Sequence, residues 1–147
     1  MSKSLGNVID PRDVIRGASL QRRQFPQGIP ECGADALRLA LSTHNAHGPE
    51  IRLGVASVLT QRRFCNKVWN GVGFVLRALQ GERGPPKPPE EVSPLSPLDL
   101  WLLSRLSVAV AESCRRLESL QFQGAAQAVQ SFWLHNFCDI YLVSGGL

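Results

Sequence analysis

The chain has 147 residues, 44% of them apolar, and a formal net charge of +4. That length admits one ordinary core or two small ones. The absence of any run of 18 apolar residues argues against a helical membrane span. The first residues carry neither the apolar stretch of a secretion signal nor the Arg-rich amphipathic pattern of an organelle presequence, so any targeting segment of a parent protein is expected upstream. Residues 1–83 hold 12 Lys/Arg against 6 Asp/Glu, and residues 84–147 hold 4 against 6. A basic first half suits a polyanionic partner such as RNA or a nucleotide. A solvated surface explains the same charge.

The elements follow in chain order. A Ser/Gly/Asn-rich loop opens the chain. Asp10-Pro11 then reads as an N-cap followed by proline at the first helical position, with Gly17 as the stop, which predicts a helix over Pro11–Arg16. Prolines and Gly28 forbid regular structure from Gln21 to Pro30. Asp35 to about His44 forms a second helix, apolar nearly all round and therefore expected to be buried. Glu50–Leu53 is the one candidate strand.

The longest helix is expected from about Ala56 to Leu79. Phe64, Val68, Val72, Val75 and Leu79 recur at three- and four-residue steps, joined by Trp69 and Leu76 on the side assigned to a core. Arg62, Arg63, Asn66, Lys67 and Asn70 fall towards the other face. Burying each large apolar side chain is worth about 1.5–3 kcal/mol, enough to commit the stripe to a core. Gly71 and Gly73 weaken this helix by about 1 kcal/mol each relative to alanine, or admit a close neighbour.

Residues 81–97 carry six of the ten prolines, which predicts an extended connector without helix or central strand. Beyond it, Leu98 to about Leu117 and Ala125 to about Leu142 repeat the helical period, with Gln121–Gly124 as the connection. A short connection makes two helices antiparallel neighbours, so this segment reads as half of a helical bundle. Trp101 and Trp133 are read as core residues.

Cys32, Cys65, Cys114 and Cys138 form no CxxC pair, so zinc chelation has no local support. They read as reduced, structural thiols, which favours an intracellular protein. His44-Asn45-Ala46-His47-Gly48 lacks a suitably spaced third ligand, and His135 reads as a packing or surface residue. No metal site is expected.

Met1-Ser2-Lys3-Ser4, continued by Leu5-Gly6-Asn7-Val8-Ile9-Asp10-Pro11, carries the strongest signal. It resembles the Lys-Met-Ser-Lys-Ser signature of the class I aminoacyl-tRNA synthetases with its downstream context. Gly28-Ile29-Pro30-Glu31-Cys32-Gly33-Ala34-Asp35-Ala36-Leu37-Arg38, Phe64-Cys65-Asn66-Lys67-Val68-Trp69-Asn70, Trp101-Leu102-Leu103-Ser104-Arg105-Leu106, Phe132-Trp133-Leu134 and Cys138-Asp139-Ile140-Tyr141-Leu142 look like the valine enzymes of that family. The resemblance covers most of the chain. The chain departs from it between Leu20 and Phe25, where the valine enzymes carry a longer insertion, and after Leu142.

The resemblance implies a mainly α fold, with a short loop-and-helix remnant of the catalytic domain followed by a partial anticodon-binding-type helical bundle. Residues 1–80 would hold the signature loop and stem-contact helices, 81–97 the Pro-rich linker, and 98–147 the start of the bundle. It implies valine–tRNA ligase activity in a parent protein, with ATP, valine and tRNA(Val) as partners and Mg2+ accompanying the nucleotide. No membrane or DNA partner is implied.

Lys3 matches the family's second, ATP-binding lysine. An ammonium on a small-residue loop can neutralise charge building on departing pyrophosphate. Met1, Ser2 and Ser4 complete the ATP-binding stretch, with the two hydroxyls able to donate hydrogen bonds or order the loop. Arg62, Arg63 and Lys67 are the candidate tRNA-phosphate contacts. The family's first lysine would precede Met1 and its histidine signature lies far upstream, so the chain reads as a fragment expected to be inactive by itself. The competing expectation is a non-catalytic helical module that binds tRNA or protein.

Overall fold

A computed structural model describes residues 9–18, 28–44, 53–81, 88–91, 93 and 96–145. Among them the chain is mainly α, with no strand and one isolated antiparallel bridge between Ala18 and Ile29. The expected strand at Glu50–Leu53 lies outside the described residues except for Leu53, which is not extended into a sheet. The chain divides into two compact units, residues 1–66 and 67–147. The boundary falls inside one long helix.

In the first unit, α1 spans Pro11–Arg16. The Asp10 carboxylate accepts the Arg12 backbone N–H at 2.8 Å, and Pro11 occupies the first turn, where its missing donor is not needed. Gly17 ends the helix at φ 77°. A Cβ at Gly17 would lie 2.8 Å from the Glu31 amide nitrogen, so only glycine lets the returning chain pass. That chain satisfies carbonyls left open at the helix end: Cys32 N–H donates to Val14 C=O and Gly33 N–H to Ile15 C=O, both at 3.1 Å.

Helix α2, Ala34–Thr43, packs on α1. Val14, Cys32, Ala36, Leu37, Ala40 and Val58 form the core of this unit, flanked by Ile9, Ile15, Leu53 and Leu59. Helix α2, expected to be buried, is buried on one side only. Its buried side is Ala36, Leu37 and Ala40, whereas Leu41 is exposed. Helix α3, Val55–Ala78, enters this core through Val58.

The second unit holds the rest of α3, then α4 (Pro97–Glu118), α5 (Phe122–Ser131) and a π-helical continuation over Phe132–Leu142. The connector 81–97 is not free of helix. Pro89–Glu91 makes one 3-10 turn, and Pro97 is the first residue of α4. Ser96 and Asp99 close a reciprocal capping box there, which explains why helix begins at the last proline rather than after it.

Helix α4 ends in a Schellman turn, with Gln121 N–H donating to Arg116 C=O at 2.8 Å and Leu120 at φ 57°. The connection is therefore shorter than expected: α5 already starts at Phe122, and Gly124 is helical. A Cβ at Gly124 would lie 2.8 Å from Arg116 Cδ, so the glycine admits that arginine stem. Ala125 is buried where α5 lies along α4.

Gly71 is the other position where a missing side chain matters. A Cβ there would meet Trp133 Cζ2 at 3.0 Å and Phe137 Cε1 at 3.7 Å, so glycine lets the aromatic rings lie against α3. Trp133, Phe137 and Tyr141 then follow one another along the π segment, with ring centroids 5.0 and 6.1 Å apart. The Tyr141 hydroxyl donates to Asp99 Oδ1 at 2.8 Å and ties the end of the π segment to the start of α4. Trp69 is not a core residue: it is 81% exposed, and Val72, Leu76 and Leu79 of the same expected stripe are exposed with it.

Candidate nucleic-acid interface

Helix α3 carries Arg62, Arg63, Lys67 and Arg77 and no Asp or Glu over its 24 residues. An acid-free basic helix favours a phosphate-rich partner through long-range attraction. The side chains differ in how free they are to meet one. In the first unit the Arg62 guanidinium donates to the Glu31 carbonyl, which commits it to bracing the returning chain. Arg63, its neighbour, is exposed.

In the second unit Lys67 Nζ stands 3.7 Å from Asp139 Oδ1, with both side chains 53% exposed. At that exposure and distance the pair is weak, of the order of 0–1 kcal/mol, and a phosphate can compete for the ammonium. His135 Nδ1 lies 3.4 Å from the other Asp139 oxygen and is itself a surface group. Arg77 is exposed, and its guanidinium passes 3.5 Å from where a Gly73 Cβ would be. Arg77 escaped the sequence reading because it stands ten positions beyond Lys67. The signal that marks it is the lack of any acidic residue along α3.

Arg115 and Arg116 of α4 are less available. Glu112 accepts from Arg116 Nε at 2.6 Å and from Arg115 Nε at 3.0 Å, and these two hydrogen bonds hold its carboxyl below the usual carboxylate range. Arg116 also donates to Gln121 Oε1 at 2.8 Å.

Met1, Ser2, Lys3 and Ser4, the expected ATP-binding stretch, lie outside the described residues, as do Arg22, Arg23 and His47. Among the described residues no group of three or more His, Cys, Asp or Glu side chains is placed to hold a metal ion. The four thiols are free. Burial pushes the Cys32, Cys65 and Cys138 thiols up, and Arg62 beside Cys32 and Lys67 beside Cys138 offset it only in part. None of these three is an activated nucleophile. No described helix is long and apolar enough to cross a membrane.

Two family models match the chain. That of the class I tRNA synthetases (I, L, M and V) covers residues 1–53, and that of the anticodon-binding domain of tRNA ligase covers residues 99–144. The chain is 47% identical over 165 residues to a mitochondrial valine–tRNA ligase of Mus musculus, which covers 97% of this chain and 16% of the relative. It is 44% identical to the mitochondrial valine–tRNA ligase of Homo sapiens, over 97% of this chain and 15% of the relative. It is 43% identical to a valine–tRNA ligase of Caenorhabditis elegans, over 97% and 16%. The chain thus spans about one sixth of the length of these curated relatives. The alignment with the mouse protein runs over 165 residues against 147 here, so gaps fall within this chain. No solved structure matches it.

Proposed function

We propose that the chain is a segment of a valine–tRNA ligase, within the class I aminoacyl-tRNA synthetases whose family model matches residues 1–53, and that it carries the end of the ATP-site loop and helices that dock tRNA. In such an enzyme a valine carboxylate oxygen attacks the α-phosphorus of ATP, pyrophosphate leaves, and valyl-adenylate forms. A hydroxyl of the terminal tRNA ribose then attacks the valyl carbonyl, and AMP leaves. The observation that carries the reading is 47% identity to a valine–tRNA ligase along 97% of the chain.

Lys3 is the residue assigned to the first step. It falls within the stretch matched to class I synthetases, and its ammonium neutralises the charge that builds on departing pyrophosphate. Met1, Ser2 and Ser4 complete the ATP-binding loop, with Mg2+ accompanying the nucleotide. Arg63 and Lys67 are the stronger phosphate contacts for tRNA(Val), and Arg62 the weaker because Glu31 already holds it. Residues 1–80 belong to the catalytic side, 81–97 to a linker, and 98–147 to the anticodon-binding bundle. Some of the relatives are mitochondrial by name, and the mitochondrion or the cytosol is the proposed compartment.

Three measurements test this. In the full-length parent, Lys3→Ala should slow valine-dependent ATP–pyrophosphate exchange about a hundredfold with valine affinity kept, and unchanged exchange sinks the loop assignment. For the present chain, tRNA affinity should fall with salt at a log–log slope of about −0.9 per phosphate contact on duplex, and a joint Arg63→Glu, Lys67→Glu change should flatten that slope. A slope near zero in the unaltered chain leaves protein binding as the better account of α3. The isolated chain should show no valine-dependent exchange, since it lacks the histidine signature.

A further inference from the structure

In the first unit the segment that returns to α1 is fastened at three points. Ala18 and Ile29 exchange backbone hydrogen bonds at 2.9 and 2.7 Å, and the Cys32 and Gly33 amides close the Val14 and Ile15 carbonyls at the end of α1. The third fastening comes from α3, where Arg62 donates to the Glu31 carbonyl. Arg62 is half-buried and its charge acts on the buried thiol of Cys32, whereas Arg63 is exposed. A guanidinium presents five donors in a rigid fork, so Arg62 fixes the carbonyl in direction as well as distance.

Glu31 is where that hold reaches α1. Its amide nitrogen is the atom a Gly17 Cβ would strike, at 2.8 Å, so the two backbones already touch and a shift of one displaces the other. Helix α1 is six residues long, with Val14 in the core and Ile9 and Ile15 at its flank. A helix that short takes its position from its partners. Asp10 caps its start, and Lys3 stands seven positions before that cap.

We propose that Arg62 is a positioning residue for amino-acid activation rather than chiefly a tRNA contact. By holding the Glu31 carbonyl it fixes the returning segment, through that segment α1, and with α1 the stem on which the ATP-site loop stands. This rests on the reading of Lys3 as the lysine of that loop. A reacting group is only as well placed as the shell that supports it, and a misplacement of about 1 Å can cost about a hundredfold in rate. Lys3 acts when pyrophosphate departs, so the loss of Arg62 falls on activation and spares the later transfer to tRNA. Arg63 and Lys67, on the same basic helix, keep their assignment to tRNA phosphates.

The activation step uses no tRNA, so valine-dependent ATP–pyrophosphate exchange by the full-length parent isolates this role, with the valyl-adenylate burst counting active sites. Arg62→Ala should lower kcat for exchange roughly tenfold with KM for valine kept. Single-turnover transfer from preformed valyl-adenylate to saturating tRNA should keep its rate, and tRNA affinity should fall less than in Arg63→Ala. Arg62→Lys keeps the charge but offers a shorter point donor; it should slow pyrophosphate exchange severalfold and stands in if the alanine variant does not fold. In the 147-residue chain, Arg62→Lys should quicken amide hydrogen exchange at Cys32 and Gly33 more than at Ala40 of α2. Pyrophosphate exchange unchanged by both substitutions, equal slowing of activation and transfer, a loss confined to tRNA affinity, or unaltered protection of Cys32 and Gly33 would overturn the proposal. Lys3→Ala in the same assay separates the two failures: if it too leaves pyrophosphate exchange unchanged, the loop reading falls with the proposal, and if it slows exchange, the role of Arg62 falls alone.

Discussion

In a helix interior an exposed Gly→Ala change stabilises by about 1 kcal/mol, and Gly71 and Gly73, two positions apart on α3, should answer it with opposite signs. At Gly73 the new methyl meets only Arg77 Nη1, at 3.5 Å, the far end of a flexible side chain. The gain of about 1 kcal/mol is kept there. At Gly71 the methyl arrives 3.0 Å from Trp133 Cζ2, with Phe137 Cε1 at 3.7 Å. Carbon atoms rest about 3.5–4.0 Å apart, so the indole must retreat by roughly half an ångström or more. It has little room, because the Phe137 ring centroid lies 5.0 Å from its own. Overpacking of this kind costs about 1–3 kcal/mol, which outweighs the helix gain and leaves a net loss of about 1 kcal/mol.

The two variants should therefore differ by about 2 kcal/mol, which at a urea slope of about 1–3 kcal/mol/M separates their midpoints by roughly 1 M. Trp69, Trp101 and Trp133 are the chain's three tryptophans and all lie in the second unit, so fluorescence follows that unit alone. This matters because a two-unit chain need not unfold in one step. If Gly71→Ala proves as stabilising as Gly73→Ala, Trp133 does not lie against α3, and the packing of the second unit is wrong.

Tyr141→Phe removes the hydrogen bond to Asp99 Oδ1 and should cost about 1–2 kcal/mol at neutral pH, the range for a partly solvated bond to a charged acceptor. Burial pushes the Tyr141 hydroxyl up, reinforced by the Asp99 hydrogen bond and charge. The favoured form is the protonated one, so the stabilisation is fully present below the unfolded value, about 10, and is lost as pH rises through the folded value. The gap between the two chains should narrow above that point in alkaline denaturation monitored by fluorescence, and a constant gap would count against the contact. A thiol reagent at pH 8 should label Cys114, the one exposed cysteine, well ahead of buried Cys32, whose thiol is raised by burial and donates to the Pro30 carbonyl at 3.2 Å. Equal labelling rates would mean that the core of the first unit is not formed.

The local signals were legible because they depend on neighbours in sequence. Asp10-Pro11 and Gly17 bound α1 as capping chemistry requires, and the long periodic stretch became α3 to within a residue. The same logic was available at Ser96-Pro97-Leu98-Asp99, whose Ser-x-x-Asp spacing is a capping box. The density of prolines before it obscured the point that proline is welcome at the first position of a helix. The π-helical run over Phe132–Leu142 had no local signal, since its residues fit the ordinary helical period equally well. Its clearest tertiary tie, Tyr141 to Asp99, spans 42 positions. Lys3 and its loop rest on sequence resemblance alone.

Trp69 marks where periodicity stops being informative. Trp69, Val72, Leu76 and Leu79 share apolar spacing with Phe64, Val68 and Val75, and the helical period does not tell the two sets apart. Yet Trp69 is 81% exposed, while Gly71, with no side chain, is buried. The sorting agent is shape: Trp133 needs a backbone it can approach to van der Waals distance, and only the glycine supplies one. An indole at position 69 gains nothing from that contact and stays in solvent. A stripe of apolar residues therefore states how much surface a helix can bury, while the smallest residue on it decides where the neighbour sits.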